Sequence, residues 1–197
     1  MNLFDHAPLT IPAIMQKEIQ EQYTRPKRFY HTIEHIEALL YLYHKWHHLW
    51  EQPCAVYLAF VYHDIIYEYG AKDNEEQSAI FAQQHVLTHL PHEKEHIPRT
   101  MHLIRQTALH GQLHRKDLDE EERLFLGCDM SILGSTPSKF KEYEQQIEQE
   151  YTQVYSKVLY KMGRKQFRKK LYKAHRIFFS DLFHEQYDKQ ARKNLRS

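Results

Sequence analysis

Apolar residues recur at three- and four-residue intervals along most of this chain, and nowhere does the alternation of a half-buried strand persist. A first helical pattern covers about 11–22, and "RPKR" at 25–28 interrupts it. From about Thr32 to Trp50 the apolar stripe is Ile33, Ile36, Leu39, Leu40 and Tyr43. Pro53, tolerated in a first turn, opens "PCAVYLAFVYHDIIYEYG". That stretch is apolar nearly all round through its middle, which predicts a buried helix ended by Gly70. "DNEEQSAIFAQQHVLTHL" predicts a fourth helix, capped by Asp73 or Asn74, with acids in its first turn and Pro91 at its close. A fifth begins near Pro98, and a sixth covers "DLDEEERLFLGCDMSILG" up to Gly134. "PSKFKEYEQQIEQEYTQV" and "GRKQFRKKLYKAHRIFFS" are the seventh and eighth, the latter burying Phe167, Leu171, Ala174 and Phe178. The tail from Asp181 continues in helical periodicity. The expectation is an all-α fold: one bundle of about eight helices spanning 1–197, with its core at about 23–134 and the C-terminal helices 137–195 packed on it.

Composition narrows the function classes. The 197 residues are enough to bury a core without disulfides or a structural metal. A formal charge of +1, from 27 basic and 26 acidic residues, argues against a general nucleic-acid or membrane surface. The basic run 164–176 is matched by "EYEQQIEQE" before it, so a charge-complementary helix pair is expected there, with no nucleic acid as partner. No apolar run reaches the ~18 residues of a membrane span, and "MNLFDHAPLTIPAIM" lacks the basic and apolar regions of a signal peptide. Cys54 and Cys128 form no CxxC pair, which suggests free thiols and a cytoplasmic location. The compositional outlier is histidine, with 16 copies.

The histidines that matter are picked out by position. His31 and His35 in "RFYHTIEHIEALL" fall on one helical face, one turn apart. His63-Asp64 sits inside the most apolar segment, where a carboxylate is costly unless it is paired or coordinated. Asp129 in "FLGCDMSILG" is a second acid in apolar surroundings. Each has an ordinary explanation alone. Together, His35, His63, Asp64 and Asp129 form a mixed nitrogen and oxygen set suited to Mn²⁺, Fe²⁺, Co²⁺, Ni²⁺, Zn²⁺ or Mg²⁺. Helical bundles build such sites from side chains facing a shared interior, and an octahedral ion would keep two positions for water and a substrate oxygen. His85 and His89, also one turn apart, follow a polar "QQ" and are expected on the surface.

The order H…HD…D across helices resembles the HD-domain superfamily of metal-dependent phosphohydrolases. More narrowly, "YTRPKRFYHTIEHI", "AFVYHDIIYE", "DNEEQSA" and "CDMSILG" are together similar to a bacterial branch of predicted HD phosphohydrolases, over roughly Tyr23 to Gly134. The resemblance implies an HD-like helical domain that hydrolyses a small phosphate ester or nucleotide through attack by metal-bound water. "YHTIEH" is similar to the "YHNxxH" of cyclic-nucleotide phosphodiesterases, with Thr32 at the Asn position. That likeness makes His35 the ligand and His31 the acid for the leaving group; with the shorter first motif of other members, His31 would be the ligand. Asp64 or Asp129 then orients the water, and Glu75 and Glu76 are candidates to assist it. Arg28 and Lys27, just before His31, are placed to hold phosphate. His110 is the candidate for a further contact to substrate or to a second ion. Two other readings use the same scaffold: a di-iron HD-type oxygenase, and a catalytically silent ligand-binding protein. Exposed aromatics such as Tyr151, Tyr155 and Tyr160 leave a homodimer open.

Overall fold

The computed structural model describes residues 3–196; the expected 1–197 domain also takes in Met1, Asn2 and Ser197, which lie outside the described residues. Among the described residues there are nine α-helices and no strand, so the chain is all-α. It divides into two compact units, Met1–Leu109 and His110–Ser197, and the division falls inside the stretch expected to form one core.

The first unit holds α1 (Ala13–Tyr23), α2 (Ile33–Lys45), α3 (Pro53–Tyr62), α4 (Asn74–His89) and α5 (Ile97–Thr107). As its composition demands, α3 is buried all round: every residue from Ala55 to Tyr62 is inaccessible to solvent, against α2, α4 and α5. Each large side chain removed from water in this way stabilises the fold by about 1.5–3 kcal/mol. The polar atoms that come with it are satisfied. The Tyr23 hydroxyl donates to the Val61 carbonyl at 2.8 Å, and the Thr100 hydroxyl to the Ala55 carbonyl at 3.2 Å.

Helix α3 stops at Tyr62, well before Gly70. The expected end fails because side chains distant in sequence claim the backbone beyond it. The Arg28 guanidinium takes the carbonyls of Asp64 and Ile65 at 2.8 and 2.7 Å. The Ser78 hydroxyl engages both the N–H and the carbonyl of Ile66, and the Asn74 amide does the same for Glu68. Asn74 is thereby occupied with the preceding loop, and Asp73, at the N-cap position of α4, makes no capping hydrogen bond with its side chain, which accepts from Gln77 Nε2 instead, so neither expected residue caps the helix. The chain after α3 is thus an ordered loop pinned to the start of α4.

The second unit holds α6 (Glu120–Asp129), α7 (Pro137–Tyr151), α8 (Lys157–Lys173) and α9 (Asp181–Arg196), with a 3-10 turn at Met130–Gly134. Asp119 and Glu122 form a reciprocal capping box at the start of α6. Helix α8 begins earlier than its periodicity suggests because Ser156 caps it, accepting from the Leu159 N–H. It also ends before Ala174. Leu171 and Phe178 are buried as expected, whereas Phe167 and Ala174 are only half-buried. Glu144 of α7 pairs with Arg164 of α8 at 2.5 Å and with Arg168 at 3.7 Å, the charge complement anticipated from the two runs. Phe183 of α9 lies against Gly127, and Tyr187 against Gly134.

Candidate metal centre

Four of the expected site residues come together in the first unit. The first turn of α2 presents His35, and the segment just before it presents His31. His63 follows the last residue of α3, with its N–H still bonded to the Ala59 carbonyl at 2.9 Å, and Asp64 comes next. Around the Asp64 Oδ2 atom stand His63 Nε2 at 2.9 Å, His35 Nε2 at 3.7 Å and His31 Nε2 at 4.0 Å. His35 Nε2 and His63 Nε2 are 3.3 Å apart. His35 and His63 are buried, and the Asp64 side chain is only 14% exposed.

The protonation pattern of His63 says what this cluster wants. Its Nδ1 is 3.0 Å from the Phe60 carbonyl, which can only accept, so Nδ1 carries the hydrogen. Its Nε2 faces a carboxylate oxygen that, once ionised, also only accepts. The space between Nε2 and Oδ2 therefore calls for positive charge: either an imidazolium proton or a cation shared by both atoms. Burial by itself would raise the Asp64 carboxyl; the adjoining His63, with His31 and His35, outweighs it and holds the group well below the usual carboxylate range.

The donor set fits a divalent ion. Two ligands of one ion at about 2.1 Å lie about 3.0 Å apart in an octahedron and about 3.4 Å apart in a tetrahedron. The separations among His35 Nε2, His63 Nε2 and Asp64 Oδ2 are 2.9, 3.3 and 3.7 Å, which bracket those values. The Phe60 carbonyl supplies the outer hydrogen bond that fixes a ligating imidazole in the right tautomer.

The remaining expected residues divide as follows. Arg28 does not stand free to grip phosphate. Its guanidinium donates to the carbonyls of His31, Asp64 and Ile65 at 2.8, 2.8 and 2.7 Å, and lies over the rings of Tyr23 and Tyr67. It ties the histidine that precedes α2 to the residues that follow α3. Lys27 is exposed, has a positive φ of 78°, and its carbonyl accepts from the Tyr69 hydroxyl. Glu76 is gripped by both Nε and Nη2 of Arg105, at 2.6 and 2.8 Å, and Glu75 beside it is half-buried. Asp129 and His110 belong to the second unit, where His110 Nε2 is 2.8 Å from Asp129 Oδ2.

Three contributors escaped the periodicity argument. Tyr67 stacks on His31, with ring centroids 4.0 Å apart and planes 22° from parallel. Tyr30 lies against both His31 and His35. The signal for both was an aromatic residue next to each histidine motif. The third is Glu18 of α1. Two histidines expected on the surface, His85 and His89, turn out to be buried and half-buried, and both face it. Glu18 falls beside the buried stripe Met15, Ile19 and Tyr23 and keeps 39% of its side chain exposed.

Compared with known proteins, the chain matches no family model, no curated protein and no solved structure.

Proposed function

We propose that this chain is a metal-dependent phosphohydrolase acting on a small phosphate ester or nucleotide. The observation that carries the reading is the convergence of His35 Nε2, His63 Nε2 and Asp64 Oδ2, with His31 alongside. The H…HD order and its likeness to HD phosphohydrolases support the same class. His35, His63 and Asp64 would hold a divalent ion, which would supply Lewis acidity for the water and offset phosphate charge. The residues of the chain do the rest. Asp64 accepts a hydrogen bond from the attacking water and aligns it with phosphorus. His31, held by its stack on Tyr67, gives a proton to the departing oxygen. Arg28 keeps His31 and Asp64 in register through their carbonyls.

The test is metal content and turnover of tag-free protein, wild type beside Asp64→Ala and His31→Gln. Asp64→Ala should hold one divalent ion fewer per chain and lose hydrolysis across a panel of phosphomonoesters and phosphodiesters. His31→Gln should keep the ion and lose about 10²–10⁴-fold in kcat. Equal metal content in wild type and Asp64→Ala, or a metal-loaded wild type that cleaves nothing on the panel, refutes the proposal.

A further inference from the structure

Away from the HD cluster, the first unit gathers a second set of metal-binding side chains. Glu18 of α1 directs Oε2 at His85 Nε2, 2.6 Å away, and at His89 Nε2, 3.0 Å away. The two imidazoles come from consecutive turns of α4, with ring planes nearly perpendicular at 83°. His85 is buried, His89 is 17% exposed and Glu18 is 39% exposed. We propose that Glu18, His85 and His89 bind a Zn²⁺ ion that joins α1 to α4.

Three features favour this over a simple ion pair. A salt bridge needs one imidazole, and here two converge on the same carboxylate oxygen from one helix face. One divalent ion would engage both Nε2 atoms and the carboxylate at once, in place of the two Nε2–H donors that otherwise share the oxygen. Imidazole nitrogens i and i+4 on a helix, plus a carboxylate from another element, are the ligand types and spacing that zinc accepts; the three ligand atoms lie within 4.8 Å of one another, and the 2.6 Å contact to His85 would open toward the ~3.4 Å of a tetrahedral site on binding. Finally, His85 has its outer partner in place: Nδ1 is 2.7 Å from the Tyr62 hydroxyl, which is itself buried. With Nε2 on the ion, the Nδ1–H donates to Tyr62 and fixes the ring. Three protein ligands leave a fourth position for water or a small anion. Tyr62 directly precedes His63, so an ion here would also steady the end of α3 that carries the HD pair.

The two sites are separated by working in Asp64→Ala, which removes a ligand of the first centre and none of the second. Chelator-treated, tag-free Asp64→Ala is titrated with Zn²⁺ against a competing chromophoric chelator, and Co²⁺ is followed by its visible absorption. One ion per chain should bind, and its saturation should raise Tm. Adding His89→Gln or Glu18→Gln should weaken binding by more than about 100-fold, beyond what loss of an outer partner costs. The Tm rise should vanish with it. Both variants alter side chains that retain solvent contact, so circular dichroism should show a folded chain. No zinc bound to folded Asp64→Ala, or the same affinity in the double variants, overturns the proposal whatever the outcome at the first centre.

Discussion

Arg28 offers the sharpest single test of how the HD cluster is assembled. Its two terminal nitrogens bond three backbone carbonyls, those of His31, Asp64 and Ile65, at 2.7–2.8 Å. Hydrogen bonds to a charged donor contribute about 1.5–3 kcal/mol each, and three would total about 4.5–9 kcal/mol if they added. They do not add, because the site is half-buried and water reaches some carbonyls after truncation. Arg28→Met keeps the aliphatic stem and deletes the guanidinium; it should cost about 2–4 kcal/mol. Arg28→Lys should recover part of this, since one ammonium can occupy the Nη1 position between the His31 and Asp64 carbonyls but cannot also reach Ile65. Both tryptophans, Trp46 and Trp50, lie in the first unit, so urea unfolding followed by tryptophan fluorescence reports that unit selectively. Divalent-ion affinity at His35, His63 and Asp64 should fall by about 10–100-fold in Arg28→Met, the usual effect of losing an outer support. If Arg28→Met unfolds within about 0.5 kcal/mol of wild type and binds metal equally well, the latch is unnecessary and the reasoning fails.

Two glycines in the second unit should respond in opposite directions. A Cβ on Gly134 would stand 2.6 Å from Tyr187 Cβ and 2.9 Å from the Tyr187 carbonyl oxygen, so Gly134→Ala should destabilise by about 1–3 kcal/mol. Gly163 lies inside α8 with nothing within 4 Å of its Cβ position, so Gly163→Ala should stabilise by about 0.5–1 kcal/mol; thermal melts of the two variants that shift in the same direction would contradict this. Asp188 accepts from the Ile177 N–H at 3.1 Å and from Arg192 Nε at 2.6 Å. Its burial raises the carboxyl, but Arg192 and the Ile177 N–H more than offset that and hold it below the ordinary value. A depressed carboxylate stabilises fully above its unfolded pKa of about 3.9 and loses that contribution as pH falls through the lower folded value. Asp188→Asn should therefore be about 1.5–3 kcal/mol less stable than wild type near neutral pH, with the gap closing in acid. A gap that widens below about pH 4 would reverse the assignment.

What the sequence made legible follows the range of the interactions involved. The stripe of α2 was readable because three- and four-residue spacing alone decides which side of a helix leaves water: Ile36, Leu39, Leu40 and Tyr43 are buried and Ile33 is half-buried, although the helix ends at Lys45, short of the expected Trp50. The cluster of His35, His63 and Asp64 was readable in part: a histidine and an acid in an almost wholly apolar segment need partners, and the resemblance pointed to His31 and His35, whereas Asp129, the fourth expected ligand, belongs to the second unit, where His110 faces it. The end of α3 was not readable. Every residue through Tyr67 would have accepted a helical conformation, and what stops the helix is competition from Arg28, Asn74 and Ser78, residues that local propensity does not weigh. The same limit hid the second cluster. His85 and His89 looked solvated because their sequence neighbours are polar, yet their surroundings are set by the face of α4 they share and by Glu18, 67 residues before His85. Polar side chains that reach across the fold thus decide both where α3 ends and where two imidazoles and a carboxylate meet. A buried acid must be compensated, so Asp64 implies a cation or donor nearby, whereas Glu18, with 39% of its side chain exposed, and a histidine that can remain neutral imply nothing by themselves.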